Sequence, residues 1–186
     1  MTNEIQDLYG PELTDDRPSW DAYHMATAQM ISERASCRKR LKVGAVVVKG
    51  KRQIATGYNG SPPGEDTCIE KGCLLLPGQP RSCKRVIHAE HNALLQHENK
   101  DIYQGATIYV NYYPCISCMG EIAAAGISRI VYWKKRDKDK FKHKHQETSE
   151  IADMEGIELE ELSQDNKIAI IKLLKDKYEL LFKDID

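Results

Sequence analysis

The stretch ATIYVNYYPCISCMGEIAAAGISRIVYW, residues 106–133, decides the fold. Its two ends, 106–111 and 128–133, are short apolar runs rich in β-branched and aromatic residues, which predicts strands. Between them 115–125 has the composition of a helix, and Gly126 closes it. Working outward, the same alternation continues. Downstream, 147–155 reads as a helix ending at Gly156, 157–162 as a strand and 166–182 as a terminal helix. Upstream, 88–99 reads as a helix, and 43–48 with 53–58 as a hairpin around Lys49-Gly50-Lys51-Arg52. Ser19 suits the cap of a helix over 20–36, with Tyr23, Ala26, Met30 and Ile31 as its apolar stripe. Strands alternating with helices predict an α/β fold of layered-sandwich type. At 186 residues and 41% hydrophobic content, the chain suits a single domain over 1–186.

Three segments stand apart. Residues 1–17 are polar and without period, which predicts a loose leader. Residues 60–87 hold most of the prolines and half of the cysteines, which predicts an irregular insertion that needs something to fasten it. Residues 163–186 place Ile168, Ile171, Leu174, Tyr178 and Leu181 at helical spacing, so the terminal helix buries one face on its own domain or on a neighbouring subunit. The basic run 134–145 reads as a solvated connection, with a phosphate-facing or partner-facing loop as the alternative.

A net charge of −1 and a pI near 6.6 give no global reason to bind nucleic acid or an anionic membrane. The substrate class this favours is a small molecule. No apolar run approaches the ~20 residues of a membrane span. The start, MTNEIQDLYG, lacks the basic and apolar regions of a secretory signal, so a cytoplasmic location is expected. Six cysteines in such a chain suit metal ligation or reduced core positions better than a three-bridge secreted scaffold.

The chemistry lies in His88-Ala89-Glu90 and Pro114-Cys115-Ile116-Ser117-Cys118. One imidazole and two thiolates give a zinc ion three protein ligands and leave a fourth position for water, as in a catalytic site. Cys115 and Cys118, three apart, share a face of a helix's first turn, and Pro114 suits the entry to that helix. The positive end of the helix favours thiolates. His88 and Glu90 work together only if His88 stands at a helix entrance and Glu90 in its first turn. Two thiolates neutralise the formal charge of Zn2+, so a base is needed beside the water, and Glu90 is the catalytic candidate. Taken singly, the cysteines read equally as a redox pair and His88 with Glu90 as a surface helix start. Together they read as a catalytic zinc centre.

His-x-Glu followed by Pro-Cys-x-x-Cys is also the signature of the zinc nucleobase deaminases. Within that superfamily the chain resembles the deoxycytidylate (dCMP) deaminases over about 19–162. The resemblance is carried by Ser19-Trp20-Asp21-Ala22-Tyr23-His24-Met25, Lys42-Val43-Gly44-Ala45, Thr56-Gly57-Tyr58-Asn59-Gly60-Ser61-Pro62, His88 through Ala93, and Pro114 through Cys118 with Ala125-Gly126-Ile127. It implies a three-layer α/β/α sandwich around a five-stranded mixed sheet, and hydrolysis of dCMP to dUMP and ammonia in supply of dTMP synthesis. It further implies a homo-oligomer, commonly a hexamer, activated by dCTP and inhibited by dTTP, with Mg2+ accompanying the triphosphate effector. By position, Asn59 and Asn92 become substrate contacts, and Gly57, Tyr58, Asn59 and Gly60 line an effector pocket. From the residues alone, Tyr58 suits stacking on a base or a core place at a hairpin exit. The 5′-phosphate calls for cations or a helix start, with Arg34, Arg38, Lys39 and Arg40 as candidates beside the plainer reading of a solvated basic turn.

Cys37, Cys68, Cys73 and Cys83 remain. Some members of the resembled family carry a second zinc here, and four thiolates would fasten an insertion poor in apolar residues. His91 or His97 in place of one thiol, or plain reduced cysteines, are the alternatives. Three competing functions share some of these features. A deaminase of another cytosine, adenine or guanine substrate would use the same machinery. A nucleic-acid editing enzyme would need a basic groove, which only 134–145 offers. A non-catalytic, zinc-stabilised nucleotide-binding module would leave Glu90 without a task.

Overall fold

The computed structural model describes residues 17–36, 41–136 and 138–182. The chain order begins with α1 (Trp20–Ser32), β1 (Gly44–Lys49) and β2 (Arg52–Tyr58). Then come α2 (Cys68–Lys71), β3 (Leu75–Leu76), β4 (Gln79–Cys83), α3 (Ala89–Leu94) and a 3-10 turn (Lys100–Tyr103). The last part is β5 (Thr107–Val110), α4 (Ile116–Ala124), β6 (Arg129–Tyr132), α5 (Lys138–Met154), β7 (Glu158–Glu161) and α6 (Gln164–Phe182).

Five strands form one mixed sheet in the order β2-β1-β5-β6-β7. β1 pairs antiparallel with β2 and β5, whereas β5-β6 and β6-β7 are parallel. The β5-α4-β6 crossover is what the quoted stretch encodes, since a parallel pair needs a helix between its strands. Alternate residues serve opposite faces. Ala45, Val47, Ile108, Val110 and Ile130 join the core with residues of α3, α4 and α5. Val46, Val48, Tyr109 and Val131 join a second core with α1 and with Ile170 of α6. With both faces covered, the central strands β1, β5 and β6 are largely apolar, while the edge strands β2 and β7 carry polar residues, and the result is the three-layer α/β/α sandwich around a five-stranded sheet.

Two close approaches set the layer spacing. A Cβ at Gly44 would lie 2.1 Å from the Ala28 carbonyl oxygen, and one at Gly57 would lie 2.2 Å from that of Ala89. The sheet therefore touches helix backbone on both faces. Of the expected α1 stripe, Ala26 is buried and Ile31 packs against the same core, whereas Tyr23 and Met30 are 48% and 61% exposed; Ala22, Met25 and Ala28 complete the inner face. Ala28 admits the close contact with Gly44.

α1 is anchored by the Asp21 carboxylate, which receives Arg129 Nη1 and Nη2 at 3.0 and 2.8 Å and the Tyr109 hydroxyl at 2.6 Å. Arg129 also bonds Glu160 on β7. The Asp of the Ser19-Trp20-Asp21 motif thus locks a helix to three strands' worth of scaffold. Ser19 caps α1, accepting from Ala22 N, and its hydroxyl donates to Asn166 of α6.

Several boundaries differ from expectation. α1 ends at Ser32 rather than at 36. α3 ends at Leu94 rather than 99, because Asn99 caps the 3-10 turn, accepting from Asp101 N, and Lys100 Nζ reaches the carbonyls of Leu94 and His97. α5 begins at Lys138, so much of the basic run is helical rather than a connection. The insertion contains α2, with a Thr67/Glu70 capping box, and the β3-β4 hairpin. On α6, Ile170 is buried, whereas Ile168, Ile171 and Leu174 are exposed; the side chains of Tyr178 and Leu181 lie outside the description. So do residues 1–16 of the expected leader, and Cys37, Arg38, Lys39 and Arg40. Among the described residues, no helix is long and apolar enough to cross a membrane.

Candidate metal centre

The metal-ligating side chains stand at the mouths of two helices on one face of the sheet. His88 is the N-cap of α3, extended at φ −69° and ψ 155°, and Cys115 is the N-cap of α4, at φ −84° and ψ 166°. Neither makes a side-chain capping bond, which leaves the imidazole and the thiol available. Cys118 follows in the first turn of α4 and is buried. Pro114 therefore precedes the cap, one step outside the helix.

His88 Nδ1 lies 3.3 Å from Cys118 Sγ and 3.5 Å from Cys115 Sγ. Zn–N and Zn–S bonds of ordinary length at a tetrahedral angle require N···S edges of about 3.6 Å. The three atoms thus fit a single zinc ion. Glu90, in the first turn of α3 and 4% exposed, lies beside the Cys118 sulfur and its own backbone N–H.

The electrostatics follow from burial and from the shared protons. Burial raises the Glu90 carboxyl above the ordinary range, against the pull of its hydrogen bonds and of His88. The Cys118 S–H donates to Cys115 and draws that thiol down to about 3, with His88 assisting. Cys118 keeps the proton, and the Cys115 thiolate, burial and Glu90 push its pKa up. His88 is raised chiefly by Cys115, with burial and the positive charge of Arg136 opposing. Metal binding at this set therefore displaces protons.

The neighbouring loops bring further expected residues to the site. Gly57 packs against Ala89, fixing the start of α3 on β2. Asn92 Nδ2 donates to the Tyr58 carbonyl at 3.0 Å, tying the same helix to the strand's last residue. Asn59, 6% exposed, accepts from Val43 N at 2.6 Å and donates to the Leu41 carbonyl at 3.0 Å. Gly60 and Ile87 exchange backbone hydrogen bonds, so the insertion leaves and rejoins the domain directly between Asn59 and His88. Tyr58 is half-buried.

The start of the basic run is solvent-exposed, as expected, and also touches the loop before α4. Tyr113 N donates to the Lys134 carbonyl at 3.0 Å, and Lys134 and Lys135 lie over the rings of Tyr112 and Tyr113, each 4.9 Å from the centroid. Arg34 is exposed at the end of α1.

The second cysteine set also comes together. Cys68, Cys73 and Cys83 place their sulfurs within 4.8 Å of one another, and Cys68 and Cys83 are 3.7 Å apart, close to the S···S edge of about 3.8 Å in a zinc thiolate tetrahedron. Cys37 lies outside the described residues. His91 and His97 are not part of this set: His91 pairs with Glu121 at 2.8 Å, and His97 Nε2 bonds the Ile54 carbonyl at 2.8 Å. The His91–Glu121 pair and the Asp21–Arg129 pair escaped the sequence reading. The first is visible in retrospect as two residues each three beyond a metal ligand; the second has no local signal.

A helix-mouth His-Cys-Cys set with a buried glutamate on an α/β/α sandwich defines a zinc-dependent deaminase fold and site. The comparisons with known proteins agree. Residues 18–134 match the family described as the cytidine and deoxycytidylate deaminase zinc-binding region, and the chain belongs to that family. It is 39% identical over 158 residues to ComE operon protein 2 of Bacillus subtilis, covering 84% of this chain and 78% of that one. It is 42% identical over 127 residues to the deoxycytidylate deaminase of Mycobacterium phage D29, covering 64% of this chain and 98% of the phage protein. Against the deoxycytidylate deaminases of Schizosaccharomyces pombe and Saccharomyces cerevisiae, the match spans only 37% and 42% of their length. Among solved structures, the dCMP deaminase of cyanophage S-TIM5 in complex with dCMP and dUMP superposes with a TM-score of 0.62 at 27% identity, covering 78% of this chain and 98% of that one.

Proposed function

We propose that this protein hydrolyses dCMP to dUMP and ammonia. The observation that carries the chemistry is the buried Glu90 carboxyl beside three ligand atoms spaced as the edges of a zinc tetrahedron. The substrate rests on the relatives named deoxycytidylate deaminase and on the solved neighbour that holds dCMP and dUMP.

Zinc held by His88, Cys115 and Cys118 would supply Lewis acidity at the carbon that bears the amine. The protein's own part is the proton traffic. A Glu90 carboxylate oxygen takes a proton from the attacking water and delivers it to the ring nitrogen next to the reacting carbon. It then takes the remaining proton of that same oxygen, now bonded to the reacting carbon, and passes it to the departing amine as the carbon–nitrogen bond breaks, so water enters and ammonia leaves with no net change at Glu90. Burial favours this role, since a carboxyl whose pKa lies above the ordinary range holds a proton readily between the two transfers.

Asn92 and Asn59 are proposed to shape the sugar side of the pocket, Asn92 with its carbonyl oxygen still open after Nδ2 is spent on Tyr58. Positive charge from Arg136, felt at His88, suits a monophosphate better than a nucleoside. Regulation by dCTP with Mg2+ and by dTTP through residues 57–60, a role in dTMP supply, homo-oligomerisation and a cytoplasmic location are carried by family resemblance. A structural zinc on Cys68, Cys73 and Cys83, with Cys37 as the candidate fourth ligand, is supported by the sulfur spacing.

The test is ammonia release from dCMP, dCTP, cytidine and adenosine in parallel, with and without dCTP and dTTP as effectors. The expected result is a preference for dCMP. Faster turnover of a nucleoside than of dCMP would overturn the substrate.

A further inference from the structure

His91 lies three residues beyond the ligand His88 on α3, and Glu121 three beyond the ligand Cys118 on α4, so each stands on its ligand's side of its helix. The two meet: His91 Nδ1–H donates to Glu121 Oε1 at 2.8 Å. They border a cavity of about 240 Å3 whose wall also includes His88, Ser117 and Cys118. Glu121 Oε2 is buried without a hydrogen-bond partner among the described residues, and the Glu121 charge bears on Cys118.

Gly57 and Asn92 seat α3 on the sheet, and the His91–Glu121 bond joins α3 to α4. His88 and Cys115 are N-caps whose side chains make no capping bond, and α3 spans six residues, too short to hold its own first turn. A side-chain bond one turn in from both mouths opposes any parting of α3 from α4. His91 also sets a donor against a carboxylate that faces the thiol of Cys118.

We propose that His91 and Glu121 are positioning residues, clamping α3 to α4 and thereby slowing release of the metal held by His88, Cys115 and Cys118. The proposal rests on the zinc reading of that site. It concerns retention of the metal rather than the proton transfers assigned to Glu90.

The test is zinc transfer from the holoenzyme to a chromophoric chelator. Ammonia release is followed in parallel to mark the phase that empties the catalytic site, and far-UV circular dichroism confirms that each variant stays folded. Loss of an outer partner bonded directly to a ligand costs roughly 10–100-fold in metal affinity, and this pair acts one turn away, so about 5-fold faster release is expected for His91→Ala and for Glu121→Ala. The double variant should release no faster than the faster single one, because both remove the same bond. His91→Gln, whose amide can donate to the same carboxylate, should restore most of the wild-type rate. Release within about 2-fold of wild type in both single variants would overturn the clamp, as would multiplicative effects in the double variant. Wild-type protein without zinc at this site would instead overturn the metal reading, and the clamp with it.

Discussion

Gly57 and Ala89 touch: a side-chain carbon at Gly57 would stand 2.2 Å from the Ala89 carbonyl oxygen and 2.4 Å from the Ala93 nitrogen. The strand that ends in Tyr58 is therefore seated directly on the first turn of α3, at the residue between His88 and Glu90. Glycine here serves the metal centre from behind, whatever else residues 57–60 do.

Gly57→Ala should push α3 away from the sheet. Overpacking costs about 1–3 kcal/mol, and a clash with rigid backbone atoms of α3 puts this variant at the upper end. Thermal unfolding should show the loss, and zinc content should fall with it. A variant with unchanged stability and full zinc would mean that α3 shifts freely.

Asp21 gives the protein an acid-sensitive lock. Hydrogen bonds from Arg129 hold its carboxyl below the ordinary value of 3.8, with the Tyr109 hydroxyl adding to the effect and burial opposing. A depressed carboxyl contributes stability that is fully present above the unfolded value and is lost as pH falls through the folded one. Asp21→Asn should cost about 1–2 kcal/mol near neutrality, since Arg129 keeps Glu160 and the pair is partly screened. Below about pH 4 the gap between variant and wild type should narrow. Urea unfolding at pH 7 and pH 3 measures both, and an equal gap at the two would contradict the lock.

Cys73→Ser should remove the second zinc and loosen the insertion, leaving about one zinc per chain where wild type carries about two. Limited proteolysis between Gly60 and Ile87 reads the loosening. Because the neck of the insertion is stapled by the Gly60–Ile87 bridge, ammonia release should fall much less than insertion order. Unchanged zinc content and unchanged cleavage would show that these thiols bind no structural metal.

The site was legible in the sequence to the extent that chemistry fixes spacing. His88, Glu90, Cys115 and Cys118 have to stand at helix mouths to meet, and they do. The central strands β1, β5 and β6 were legible because both faces are buried, which leaves continuous apolar runs. What escaped depends on partners distant in sequence. The α1 stripe was half right: Ala26 and Ile31 pack inward, but the contact with Gly44 is made by Ala28, and the apolar Tyr23 and Met30 point outward. The end of α3 was missed because Asn99 looks equally like a helix residue and a cap for the next turn. The role of Asp21 depends on Arg129, 108 residues away, and no local pattern announces it.

The most direct measurement is zinc content and ammonia release from dCMP in Glu90→Gln. The substitution keeps the shape and removes the proton carrier, so zinc should remain at the wild-type level while turnover falls by about 10³-fold or more. Wild-type turnover in a variant that retains its zinc would contradict the assignment of Glu90, and with it the proposed chemistry of this site.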